Sequence, residues 1–141
     1  MYALIATKNV DLYWDALAPW IGEAVGVPDP AADLEVIKSK ALSGVAQIWV
    51  GKSPKTGVID IVLVTEGMVL DNIPTLVIRW LTAVDLNDCM IDFALIENWA
   101  HTQGFQRLQV WGRRGWERKL RPLGFVHNFT VLDKFLPQGL H

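Results

Sequence analysis

The stretch "TLVIRWLTAVDLNDCMIDFALIENWAHTQGFQRLQVWG", Thr75 to Gly112, decides the fold of this 141-residue chain. Its first ten residues, 75–84, are apolar or β-branched apart from Arg79 and read as a strand. Asp88 is placed to cap a helix over 88–103, in which Met90, Ile91, Ala94, Leu95 and Trp99 recur at helical spacing, and Gly104 stops it. "RLQVWG" (107–112) returns to strand character. Strand, helix and strand in this order make a βαβ unit, whose right-handed crossover leaves the two strands as parallel neighbours.

Working outward, "VAQIWVG" (45–51) alternates and "VIDIVLVTEG" (58–67) is apolar on both faces, with the turn residues "SPKTG" between them, so the two form a hairpin. The turn "LDNIP" leads on into strand 75–84. Upstream, Asp11 is positioned to cap a helix carrying Leu12, Ala16, Leu17, Trp20 and Ile21 on one face, which Pro19 bends or splits. Asp33 caps a second helix that ends at Gly44. A short apolar strand (Tyr2 to Ala6) opens the chain; the short helix "WERKL", the strand "FVHNFTVLDKFL" (125–136) and a loose tail over 137–141 close it. The order is β-α-α-β-β-β-α-β-α-β: an α/β (α+β) chain forming one domain over 1–141, with a mixed, mostly antiparallel sheet and helices on both faces.

Composition narrows the function. A hydrophobic content of 51% with seven Trp and 20% charged residues gives a chain that folds. Its apolar runs, such as Ile61 to Val64, are far below a membrane span, and "MYALIATKNVD" lacks the features of a secretion signal, so the sequence reads as a soluble cytoplasmic protein. One cysteine and three scattered histidines offer no metal-ligand spacing. The net charge of −2 conceals an asymmetry: residues 1–100 carry 6 Lys and Arg against 13 Asp and Glu, whereas 101–141 carry 7 against 2. Five of those cations, Arg113, Arg114, Arg118, Lys119 and Arg121, cluster around "GRRGWERKL" with Glu117 alone opposing them locally. They form a basic knob suited to a protein partner, while Gly115 and Trp116 make the turn beneath it. Specific nucleic-acid recognition is not expected from one patch of this size, which supports only weak, salt-sensitive contact.

The element order, closed by "GRRGWERKLRPLGFVHNFTVLDKFL" (112–136), resembles the GNAT (GCN5-related N-acetyltransferase) fold over essentially the whole chain. "LSGVAQIWV" (42–50), "IENWAHTQGF" (96–105) and "GRRGWERKLRPLGF" (112–125) are similar to a divergent set of GNAT-like proteins encoded by tailed phages. The resemblance implies a splayed sheet with acetyl-CoA in the wedge between strands 75–84 and 107–112, touching Trp80, Thr82, Val84, Asn87 and Cys89. Active members hold the CoA pyrophosphate with a glycine-rich loop and the helix N-terminus behind it. Here that loop is "VDLNDCMIDFA", with no Gly, Arg or Lys, and with Asp85, Asp88 and Asp92 where phosphate would sit. The Tyr that often serves as general acid four residues before the final Gly is replaced by Leu120, and no Tyr follows Tyr13. Glu66 or Asp60 would supply the base, with Cys89 and His127 as further titratable groups. Three readings result, the least favoured being a weak, non-specific nucleic-acid binder. The first is a GNAT-fold binding or assembly module of virion type, without efficient transferase activity or cofactor, whose partners are virion proteins or copies of itself in the host cytoplasm or virion; the alternative is an acetyl-CoA-dependent N-acetyltransferase.

Overall fold

A computed structural model describes residues 2–25, 30–84, 93–111, 115–130, 132, 134, 136 and 137. The chain divides into two compact units, Met1–Trp111 and Gly112–His141. No helix among the described residues is long and apolar enough to cross a membrane.

The first unit runs β1 (Tyr2–Ile5), α1 (Val10–Val25), α2 (Pro30–Ser43), β2 (Ala46–Lys52), β3 (Ile59–Leu70), β4 (Ile73–Ala83), α3 (Phe93–Thr102) and β5 (Arg107–Val110). The strands form one sheet in the order β1-β2-β3-β4-β5. β1–β2, β2–β3 and β3–β4 are antiparallel, and β4–β5 is parallel, as the βαβ reading requires. β3 is longer than expected because its turn to β4 is only two residues: Asp71 (φ 53°) and Asn72 (φ 63°) both take positive φ, as a type I′ hairpin turn demands.

Helices cover both faces. On one, α1 packs on β3 and β4, and α2 on β2. Val10, Trp14, Leu17 and Ile21 meet Ile37 and Ala41 of α2 and the sheet residues Ile48, Val50, Val62 and Val64. Each such side chain, fully buried, contributes about 1.5–3 kcal/mol. On the other face α3 buries Phe93, Ile96 and Ala100. There the Trp99 ring stands edge-on to Trp49, 5.6 Å between centroids and 84° between planes, and Phe105 lies 6.3 Å beyond.

Both helical stripes differ from the sequence expectation. In α1 the helix starts earlier, at Val10 after a 3-10 turn (Thr7–Asn9), so Val10 and Trp14 join Leu17 and Ile21 inward while Leu12 is 75% exposed. Pro19 does not split this helix; it lies on the exposed side of an unbroken 16-residue run. In α3, Ala94 and Leu95 face outward and Phe93 and Ile96 replace them. The expected cap Asp88, with Met90 and Ile91, lies outside the described residues.

In the second unit, α4 (Gly115–Leu120) runs into a 3-10 turn (Arg121–Leu123) that ends at Gly124 with φ 94°. Leu120 is buried. The strand expected over 125–136 is not formed among the described residues, where Val126 is 84% and Leu132 90% exposed.

Candidate functional site

The site begins with a mismatch of one residue between two strands. Val64 pairs with Trp80 but Thr65 pairs with Ile78, so Arg79 is an extra residue on β4. A bulge of this kind bends the strand and re-aims side chains. Here Arg79 and the following Trp80 both turn to the α1/α2 face, with the guanidinium carbon 4.2 Å from the Trp80 ring centroid and 5.3 Å from that of Trp111. Trp80 itself packs against the core of that face.

Among the described residues the pairing with β5 stops at the bulge. The parallel ladder spans Thr75↔Arg107 to Ile78↔Val110, and the Trp111 amide makes the last bond, to the Ile78 carbonyl at 3.0 Å. β4 continues to Ala83, still paired with β3 on its other side. The edge of Arg79–Ala83 that faces away from β3 therefore has no strand partner among the described residues. Buried main-chain groups seek partners, so an open edge inside a sheet is a place for an extended ligand to bond.

At the bulge a carboxylate is held between two cations. Glu66 Oε1 accepts from Lys40 Nζ of α2 at 2.8 Å, and Oε2 accepts from Arg79 Nη1 at 2.9 Å. The Glu66 side chain is only 8% exposed, whereas Lys40 and Arg79 keep 31% and 26%. Burial pushes the Glu66 carboxyl up, but the hydrogen bonds and charges of Lys40 and Arg79 together outweigh it and hold the group below the ordinary glutamate value of 4.5. A carboxylate with both oxygens engaged is a weak proton acceptor and a strong positioning group. Asp60, the other carboxylate expected as a base, sits six residues away along β3, about 20 Å at the rise of a strand. Its carbonyl accepts from the Val84 amide at 2.8 Å, and the two carboxylates are not brought together.

The side chains expected to touch CoA are mostly engaged elsewhere. Trp80 stacks under Arg79, Thr82 is buried and its hydroxyl donates to the Trp20 carbonyl of α1 at 2.7 Å, and Val84 is exposed beyond the end of the strand. What β4 offers is its backbone. Asn87, Cys89 and the acidic residues Asp85, Asp88 and Asp92 lie outside the described residues. So do Arg113 and Arg114 of the basic knob. Arg118 is exposed on α4; Arg121 is exposed but ion-paired with Glu117 at 2.6 Å; of Lys119 only the helical backbone is described. His127 is exposed, with the Thr130 hydroxyl 3.3 Å from its Nε2.

A cleft of about 250 Å³ on the other side of the sheet order, lined by Leu4, Ile5, Val10, Ala41, Ile48 and Trp99 among others, contains no ionisable side chain. Sequence reading missed the Lys40–Glu66–Arg79 cluster and the place of Trp111 beside it. A signal was present: Glu66 and Arg79 lie on neighbouring, mostly apolar strands, where a charge is costly to bury unless it is paired.

No family model matches the sequence, and no curated protein matches it. Solved structures do. A predicted acetyltransferase of Clostridium acetobutylicum, solved with acetyl-CoA, superposes with a TM-score of 0.67 at 11% identity, covering 100% of this chain and 99% of its own. The ribosomal-protein-alanine N-acetyltransferase of Brucella melitensis biovar Abortus gives 0.63 at 11%, covering 96% and 99%. An aminoglycoside N-acetyltransferase in complex with CoA gives 0.64 at 13%, covering 96% and 93%. None of these likenesses bears on a virion role. With the five-stranded sheet, its one parallel pair and its helices on both faces, they show that this chain has the GNAT acetyltransferase fold.

Proposed function

We propose that the chain is an acyl-CoA-dependent N-acyltransferase with acetyl-CoA as its donor. The observation that carries this reading is the edge of β4 beyond the Arg79 bulge, where the backbone of Trp80–Ala83 has no strand partner on the side away from β3 among the described residues and can bond a strand-like ligand. The pantetheine arm, a chain of two amides, fits that edge as an added strand would. When bound, acetyl-CoA supplies a thioester whose acyl group passes to an amine, the C–S bond breaking as the C–N bond forms and the amine proton ending on the thiol. The chain's own part is to hold the arm on β4 and to keep the bulge rigid through Glu66. Residues 85–92 bring three aspartates and no glycine, so the phosphates add little to affinity.

The test is calorimetric titration with acetyl-CoA beside acetyl-pantetheine, backed by thermal denaturation. Ligand at a hundred times its Kd stabilises by about 2.7 kcal/mol. The expected result is binding of both with affinities within about tenfold of each other, a gap of about 1.4 kcal/mol. No heat and no thermal shift with either at millimolar concentration refutes the reading.

A second reading, a protein-docking role for α4 and the chain that follows it, is supported by the exposed Arg118 and by the exposed apolar residues Leu123, Val126, Phe129 and Leu132. The partner would be an acidic protein surface, another copy of this chain included.

A further inference from the structure

The Trp111 ring is 42% exposed at the point where the β4–β5 ladder stops, its own amide making the last bond, to the Ile78 carbonyl at 3.0 Å. Its side chain is held. The indole N–H donates to Gln109 Oε1 at 2.9 Å, and the Arg79 guanidinium carbon lies 5.3 Å from the ring centroid. With its polar atom satisfied and its orientation fixed, the ring offers an apolar surface beside the edge of β4 that has no strand partner among the described residues. Such a surface takes one of two kinds of amine: a cation, drawn to the negative face of the ring, or a flat neutral ring that stacks on it.

Local charge decides between the two. The ring already has a cation over it, since Arg79 lies against both Trp111 and, at 4.2 Å, Trp80. Arg79 Nε is closed to solvent, so this guanidinium is a fixed charge in the wall of the notch. Lys40 and Arg79 carry two positive charges against the one negative charge of Glu66. The surplus positive charge is partly buried, where it is screened less than at an open surface. An ammonium ion entering the notch is repelled, and a neutral ring is not.

Proton chemistry points the same way. Like a lysine side chain, an alkylamine is an ammonium ion at neutral pH and attacks only after a base has taken its proton. Glu66 is the carboxylate at the bulge, and both of its oxygens are committed, to Lys40 at 2.8 Å and to Arg79 at 2.9 Å. A nitrogen bonded directly to an aromatic ring shares its lone pair with that ring and stays neutral at the same pH. It arrives ready to attack, on a flat scaffold.

We infer that the acyl acceptor is an aromatic amine, its ring stacked on Trp111 and its nitrogen turned toward the thioester held along β4. This rests on the acyltransferase reading. The nitrogen lone pair forms the C–N bond, the C–S bond breaks with its electron pair leaving on sulfur, and one N–H proton passes to that sulfur to give the free thiol. Trp111 binds the acceptor, while Lys40, Glu66 and Arg79 set the charge of the notch without taking the proton.

The experiment follows thiol release from acetyl-CoA by the full chain at neutral pH, with the uncatalysed rate subtracted. Aniline is set beside benzylamine, which has the same ring but a protonated nitrogen, and beside cyclohexylamine, which is protonated and not flat. The expected result is a kcat/KM for aniline above that for either alkylamine by about tenfold or more. In Trp111→Leu the value for aniline falls about tenfold, while the Kd for acetyl-CoA, measured by calorimetry, changes by less than about threefold; Trp111→Phe, which keeps a flat ring, restores aniline use in part. Lys40→Met removes the surplus charge and narrows the aniline-to-benzylamine ratio, a quantity in which any general loss of folded protein cancels. Wild-type protein that uses benzylamine as well as aniline, or that binds acetyl-CoA and acetylates none of the three, overturns the inference and leaves the acyltransferase reading standing. So does a Trp111→Leu protein that keeps its aniline activity, or one whose acetyl-CoA affinity falls in step with it, since Trp111 then serves the donor. An unchanged ratio in Lys40→Met overturns the selection by charge. Absence of acetyl-CoA binding by the wild type instead overturns the underlying reading, and the inference falls with it.

Discussion

Replacing Glu66 by Gln tests whether the buried ion cluster holds the β4 bulge. The substitution keeps size and one oxygen acceptor but removes the charge that faces both Lys40 Nζ (2.8 Å) and Arg79 Nη1 (2.9 Å), and it turns an N–H₂ group toward one of them. Two cations that share one carboxylate then face each other without it. Removing one partner of a fully buried pair costs about 3–5 kcal/mol. Lys40 and Arg79 keep 31% and 26% exposure and can recruit water, so the expected loss is smaller, about 2–3 kcal/mol. For a chain of this size that lowers the thermal midpoint by roughly 6–12 °C. The difference between wild type and variant also depends on pH. Glu66 has a folded pKa below its ordinary value, so its contribution is fully present above about 4.5 and is lost as pH falls through the lower folded value. Denaturation of both proteins in urea at pH 7, and again across the acid range, measures the gap directly. A loss below about 0.5 kcal/mol at neutral pH, in the range of an ordinary surface change, refutes the claim that the cluster is what fixes Arg79. So does a gap that widens as the solution is acidified.

Further outcomes follow from single contacts. Thr65→Val removes the hydroxyl that accepts from Trp49 Nε1 at 3.0 Å and donates to Gln47 Oε1 at 2.9 Å; with the indole N–H buried, the loss should be about 1–3 kcal/mol by chemical denaturation, and a neutral result would show that water replaces the hydroxyl. Gly67→Ala places a methyl 2.6 Å from Phe105 Cζ, and because that ring is only half-buried and can shift, the expected cost is about 1–2 kcal/mol, read as a lower thermal midpoint. Arg118→Glu, on an exposed position of α4, should leave stability within about 0.5 kcal/mol while weakening capture of an acidic partner in a salt-dependent way; a large stability loss would place Arg118 in the fold instead.

The sequence by itself determined the order of elements and the direction of the last strand pair. β-branched runs at period two, apolar positions at helical period and the glycine stops are local signals, and a strand, a helix and a strand joined by short loops leave few alternatives to a parallel pair. Through the GNAT resemblance it also marked Glu66, beside Asp60, as a candidate base. It did not reveal which way each helix rolls: Leu12 and Val10 are equally apolar, and only the start of α1 at Val10 decides that Val10 and Trp14 go inward. Nor could it show that 125–130 stays without a ladder, because a strand exists only when a neighbour supplies the other half of its hydrogen bonds. Above all, the one-residue bulge at Arg79 is a property of register between β3 and β4. Nothing in "TLVIRWLTAV" (75–84) alone says that Ile78 and Trp80 face consecutive residues of β3, and only that slip turns Arg79 and Trp80 to the same face and delivers the guanidinium to Glu66 and Lys40, which are 26 residues apart in sequence.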